Sequence, residues 1–355
     1  QPESSPAYFA LGEVFLQQGS ARKAFQAYQQ AAQLDSGHVR AQLRLAAFYS
    51  SAGRTQDALE AAEAALKADP DNTEARLAYA RTLAQDKQFT QALDEIDSVL
   101  QAEADNVDGH LLKGQCLIGL GRLDEAESAF QKAADLEKDS PRAKYQLARF
   151  YAATRDQEKT ENILKSIELD FPDDPTHSTK LAKFYLLTNK PDQAETELKS
   201  TVDKAPDNPQ AYTALARFYL LRQEPDKAEK TLKRAVQAVP DSVQPLLTLG
   251  QFYLSTNRPD DAAAQFHTAA EKFPDDPKPL RAMAQLQYDQ GRLDKAESSI
   301  EAILEMEEGD TFARVLKARI LLKKNDFRQA QTILNQVVAN NPEHAEAHYY
   351  LALAH

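Results

Sequence analysis

Gly12, Ala46, Ala80, Gly114, Ala148, Ala182, Ala216, Gly250, Ala284, Ala318 and Ala352 recur at a strict interval of 34 residues, with no slip of register. A second row keeps the same interval: Ala24, Ala58, Ala92, Ala126, Ala194, Ala228, Ala262, Ala296 and Ala330, with Thr160 the one substitute. A chain of 355 residues would otherwise suggest two or three domains, but so regular a period points to a stack of short equivalent units. Small side chains at both points let two helices approach closely. Large apolar residues keep the period too, among them Phe15, Tyr49, Leu117, Tyr151, Tyr185, Tyr219 and Tyr253 in the first half of the unit. Tyr28, Phe130, Leu164, Leu198, Leu232, Phe266 and Leu334 do so in the second half.

Boundaries follow from turn chemistry. Ser4, Asn72, Asn106, Ser140, Asp174, Asn208, Ser242, Asp276 and Asp310 stand where an N-cap is required, His38 and His344 being the exceptions. Pro141, Pro175, Pro209 and Pro277 occupy the first helical position, where a missing N–H costs nothing. Within the unit, Gly19, Gly53, Gly121 and Gly291, or the Pro-Asp pairs at Pro191, Pro225 and Pro259, end one helix and start the next. Pro70, Pro172, Pro206, Pro240, Pro274 and Pro342 close the second helix. Each unit therefore reads as helix, turn, helix, turn.

Tyr8, Leu11, Gly12 and Phe15 with Ala24, Tyr28 and Ala31, followed by Leu45, Ala46 and Tyr49 with Ala58, Ala65 and Pro70, resemble the tetratricopeptide repeat signature. The resemblance implies an all-α fold, a right-handed superhelical solenoid of antiparallel helix pairs. Ten units are expected over 5–344, starting at Ser5, Val39, Thr73, Val107, Pro141, Pro175, Pro209, Val243, Pro277 and Thr311, with 345–355 as the first helix of an eleventh. The chain reads as part of a longer, bacterial array. No polar cap is visible at its end, so Tyr349, Tyr350, Leu351 and Leu353 are expected to stand partly open and to support self-association.

Positions 2, 5, 9 and 12 of each first helix share one face, which in this family lines a concave groove. Position 9 runs Glu13, Ala47, Arg81, Gln115, Arg149, Lys183, Arg217, Gln251, Gln285 and Arg319, so acids vanish after the first unit. Arg142, Tyr145, Lys180, Lys278 and Arg281 lie nearby, and Leu186, Leu187, Leu220, Leu221 and Leu254 add an apolar strip in units six to eight. The candidate partner site is thus Arg81, Gln115, Arg142, Tyr145, Arg149, Lys180, Lys183, Leu186, Leu187, Arg217, Leu220, Leu221, Gln251 and Leu254, centred on units five to eight. It suits an acidic protein or peptide with hydrophobic anchors. The competing reading pairs each cation with acids of the adjacent helix and packs the leucines inward. Position 9 has no Asn, which removes the family's chaperone-tail clamp and the Asn ladder of the sugar-transferring enzymes.

A net charge of -12 argues against a nucleic-acid binder. No apolar run reaches the roughly 20 residues that span a bilayer, so no membrane insertion is expected of this segment. Cys116 stands where Phe48, Phe150, Phe184, Phe218 and Phe252 stand in other units and reads as a packing thiol. Glu60, Glu127, Glu195, Glu229 and Glu297 read as solvated, and Gly119 to Gly121 as a turn rather than a phosphate loop. No catalytic residue, cofactor site or metal site is expected. The leading function is a non-catalytic protein-interaction scaffold that organises a multiprotein complex. The alternative is the substrate-recruiting array of a larger enzyme or of an envelope export apparatus. The compartment is left open between cytoplasm and periplasm, with a lean to the bacterial cell envelope.

Overall fold

The computed structural model describes residues 4–172 and 174–354. Contacts divide the chain into two compact units, Gln1–Pro172 and Asp173–His355. The first holds α1 (Ser5–Gln17), α2 (Ala21–Leu34), α3 (Val39–Ser51), α4 (Thr55–Ala68), α5 (Thr73–Gln85), α6 (Phe89–Ala102), α7 (Val107–Gly119), α8 (Leu123–Leu136), α9 (Arg142–Ala153) and α10 (Gln157–Asp170). The second holds α11 (Pro175–Leu187), α12 (Pro191–Lys204), α13 (Pro209–Leu221), α14 (Pro225–Ala238), α15 (Gln244–Ser255), α16 (Pro259–Lys272), α17 (Pro277–Asp289), α18 (Leu293–Met306), α19 (Thr311–Lys323), α20 (Phe327–Asn340) and α21 (Ala345–Leu353). No strand occurs among the described residues.

Within each unit, an odd-numbered helix packs most extensively on the even-numbered helix that follows it, and an even-numbered helix packs less extensively on the odd-numbered helix after it. Odd-numbered helices also touch one another, α3 on α5, α5 on α7 and α7 on α9 in the first unit, and α11 on α13, α13 on α15 and α17 on α19 in the second. The first helices thereby share a face over α3–α9 in the first unit and over α11–α15 in the second. The small residues sit at the closest approaches: Ala24, Ala58, Ala92, Ala126, Ala194, Ala228, Ala262, Ala296 and Ala330 are all fully buried. Where Gly rather than Ala holds the first-helix position, an aromatic ring fills the space. A Cβ on Gly114 would stand 2.7 Å from the Phe130 ring, and one on Gly12 2.5 Å from the Tyr28 ring.

Caps are formed by the side chains of Asn72, Asn106, Asp174, Asn208, Asp276 and Asp310. The two exceptions named from the sequence cap as well: His38 Nδ1 accepts from Ala41 N at 3.2 Å, and His344 Nδ1 from Ala347 N at 3.1 Å. The Nδ1 lone pair accepts there as an Asn or Asp oxygen does. Ser4 makes no cap bond, and Pro141 occupies the cap of α9 instead of its first turn.

The inter-helix turn uses one left-handed residue per unit, again at an interval of 34: Gly19, Gly53, Lys87, Gly121, Arg155, Asn189, Gln223, Asn257, Gly291 and Asn325, with φ between 58° and 74°. The Pro-Asp pairs therefore open the second helix, while Asn189, Gln223 and Asn257 end the first. A Cβ in this region costs about 1–2 kcal/mol, against about 0.5–1 kcal/mol of extra chain entropy lost by Gly. Gln223→Gly is therefore expected to stabilise the second unit by about 0.5–1 kcal/mol. The measurement is the urea midpoint, and a lowered midpoint would rule the strain out.

Three of the outward acids, Glu127, Glu195 and Glu229, are not simply solvated. Tyr151 Oη donates to Glu127 at 2.9 Å, Tyr219 Oη to Glu195 at 3.0 Å and Tyr253 Oη to Glu229 at 3.0 Å. Each bond ties a second helix to the first helix of the next unit. Cations close the same sites: Lys159 on Glu127, Lys199 on Glu195, and Lys233 and Arg258 on Glu229. Lys233, then Arg258 and the Tyr253 hydroxyl, hold the Glu229 carboxyl down to about 2 against the opposing effect of its burial. The reading of these residues as solvated overlooked that the tyrosines follow the glutamates by a constant 24 residues.

At α21, Tyr349 and Leu353 are exposed, Tyr350 and Leu351 are half-buried, and Ala347 and Ala354 join the core with Leu334 and Val337.

Candidate functional site

The site residues expected from sequence lie on odd-numbered helices, and they divide between the two units. Arg81 (α5), Gln115 (α7) and Arg142, Tyr145 and Arg149 (α9) belong to the first; Lys180 onward belong to the second.

In the first unit, Arg142 is committed to acids. Its Nη1 lies 2.5 Å from Asp108 and its Nη2 2.8 Å from Glu137, and Asp108 together with Glu137 pushes its pKa up. Tyr145 is half-buried. Arg149 and Gln115 are exposed, and Arg149 reaches the Gln146 amide oxygen at 3.5 Å. Arg81 is exposed on a cavity of about 770 Å³ between α1, α3, α5 and α7. Arg40 and Arg44 share that cavity and were not singled out from the sequence. Arg44 grips Glu13 through two bonds of 2.8 Å, and Arg40 stacks over Phe9 at 4.6 Å. Position 2 of the face carries Arg40, which is the signal that would have found it.

In the second unit, α11, α13 and α15 enclose a cavity of about 590 Å³. Lys183, Arg217 and Gln251, three successive position-9 residues, line it with Leu186 and Leu221. Lys183 and Arg217 are exposed, and neither has a carboxylate in ion-pairing range among the described residues. Leu187 and Leu221 are 78% and 74% exposed, so packing against a neighbouring unit does not account for them. Leu186 and Leu220 are half-buried, and Leu254 and Lys180 are exposed; Lys180, Leu220 and Leu254 do not line this cavity. Thr179, Thr213, Gln210 and Gln244 also line this space; they sit at positions 5 and 2, which sequence reasoning placed on the face without naming the residues. The site thus offers two unpaired cations, amides and hydroxyls beside exposed leucine.

The remaining face cations follow the competing reading. Lys278 lies 3.6 Å from Asp276, Arg281 contacts Asp310 and Glu307, and Arg319 reaches Glu346 at 3.5 Å. Cys116 is buried, and burial pushes its thiol up to about 11, which leaves it a packing group. No group of three or more metal-ligating side chains occurs among the described residues. No helix there is long and apolar enough to cross a membrane.

A family model described as tetratricopeptide repeat matches residues 15–60, 117–184, 219–286 and 287–354. The chain belongs to the tetratricopeptide repeat family. A second tetratricopeptide repeat model matches 179–243, and a model for the anaphase-promoting complex, cyclosome, subunit 3 matches 51–133. Repeats of this family hold proteins and peptides, and the chain is a protein-interaction scaffold of that general kind. No curated protein matches it by sequence. Among solved structures, yeast Tom70 is 18% identical over 99% of this chain and 88% of its own, with a TM-score of 0.46. MamA 41-end from Desulfovibrio magneticus RS-1 is 20% identical over 49% and 98%, with a TM-score of 0.42. A tetratricopeptide repeat protein from Parabacteroides merdae ATCC 43184 is 14% identical over 81% and 100%, with a TM-score of 0.39.

Proposed function

We propose that the array of ten tetratricopeptide repeats carries a partner-docking groove on the first helices α11, α13 and α15, and that its partner is an acidic protein segment with apolar anchors. The carrying observation is the pair Lys183 and Arg217: both are exposed at equivalent positions on adjacent helices, and both lack the acidic neighbours that occupy Arg142, Arg281 and Arg319. In an acidic chain, two uncompensated cations beside exposed Leu187 and Leu221 make a site complementary to carboxylates flanked by apolar side chains. Holding such a segment lets the scaffold organise an assembly without performing chemistry of its own.

A short fluorescent peptide of Glu, Leu and Gly tests the reading by anisotropy. Binding should weaken as salt rises, because the charges screen over about 10 Å at 0.1 M. Lys183→Glu combined with Arg217→Glu should lower affinity by more than about tenfold, or 1.4 kcal/mol. Affinity retained by the double variant at low salt would end the proposal.

A further inference from the structure

We infer that the α11–α13–α15 groove reads its partner as an extended chain in a three-residue register, with a carboxylate at every third residue facing the row Lys183, Arg217, Gln251. This inference rests on the docking reading above and deepens it.

The row presents one equivalent side chain per helix, and α11 touches α13 as α13 touches α15. Packed helices stand roughly 8–10 Å apart, so the binding groups repeat at about that pitch. An extended polyproline-like chain returns the same face every three residues, about 9.3 Å along its axis. An α-helix returns its face at about 5.4 Å, too short, or after two turns at about 10.5 Å. Pitch alone therefore leaves two candidates, an extended ligand with acids three apart and a helical ligand with acids seven apart.

The groove lining chooses between them. Gln210, Gln244 and Gln251 line the groove with exposed amides, and although Gln244 gives one N–H to Thr248 Oγ1 at 3.2 Å, each keeps a donor and an acceptor for a ligand. An extended backbone has unpaired N–H and C=O groups to meet them, whereas a helix has satisfied its own. Leu186 and Leu221, set beside the cations, then meet the apolar residues between successive acids.

Three synthetic peptides of identical composition decide the matter against the intact chain: acids three apart, acids seven apart on a lactam-stapled helix, and acids two apart. The first should bind at least about tenfold more tightly than either of the others, and Gln210→Ala with Gln251→Ala should erase most of that preference. Against the Lys183→Glu, Arg217→Glu variant, a peptide with Lys three apart should recover the binding that the acidic peptide loses, which separates lost charge from lost fold. If the stapled helix, or the peptide with acids two apart, binds as tightly as the first while still losing affinity in the charge-reversed variant, the register is wrong although the groove stands. If none of the three binds, both the register and the docking reading fall.

Discussion

Asp310→Ala is expected to cost about 3 kcal/mol and to loosen the start of α19 before the rest of the second unit. Asp310 is the deepest carboxylate among the ion pairs described here, its side chain only 1% exposed. One oxygen accepts from Ala313 N at 2.7 Å and caps α19; the other accepts from Arg281 Nε at 2.7 Å and ties that cap to α17. Loss of a cap costs about 0.5–2 kcal/mol, and breaking one side of a buried pair about 3–5 kcal/mol. Arg281 keeps Glu307 at 3.0 Å, which softens the second figure. Asp310→Asn keeps the cap acceptor while removing the charge, and should lose about half as much. The readouts are the urea midpoint and hydrogen exchange at the first amides of α19. A loss below about 1 kcal/mol for the Ala variant would mean that Arg281 finds an equal partner in Glu307 alone.

Gly114→Ala should also destabilise, although in an open helix the same change would help by about 1 kcal/mol. The added Cβ would meet the Phe130 ring at 2.7 Å, far inside contact distance, and overpacking of this kind costs about 1–3 kcal/mol. The net loss is expected to be about 1–2 kcal/mol. Phe130→Leu should rescue it, because Ala facing Leu is the combination that the chain itself uses at Ala148 with Leu164 and at Ala182 with Leu198. In a double-mutant cycle the two sites should couple by more than about 1 kcal/mol. Additive effects would show that Phe130 moves aside at no cost.

The groove was only half legible beforehand. Helical spacing places positions 2, 5, 9 and 12 on one face, and the structure puts Lys183, Arg217 and Gln251 together on one cavity. Spacing carries no information on which cation is already neutralised. Arg142 and Arg217 look alike in the sequence, yet the first meets Asp108 and Glu137 while the second meets no acid among the described residues. The acids that settle this come from a neighbouring helix or the preceding turn, and side-chain reach across that gap decides the pairing. Glu127, Glu195 and Glu229 were misjudged for the same reason: on their own helices they look outward, but a tyrosine from the next unit reaches them.

By itself the sequence determined the helices, their turns and their pairing, because an unbroken interval of 34 with small residues at two fixed points admits one local packing solution repeated along the chain. It also determined where the left-handed turn residue falls, through Gly19, Gly53, Gly121 and Gly291, with Lys87, Arg155 and Gln223 held in the same conformation by the helices on either side. Only the tertiary structure decided which surface charges remain available to a partner and which are spent inside the protein. Coulomb and hydrogen-bond energies depend on separations of a few ångströms between residues roughly a repeat apart in the chain, and those separations exist only once neighbouring helices are packed.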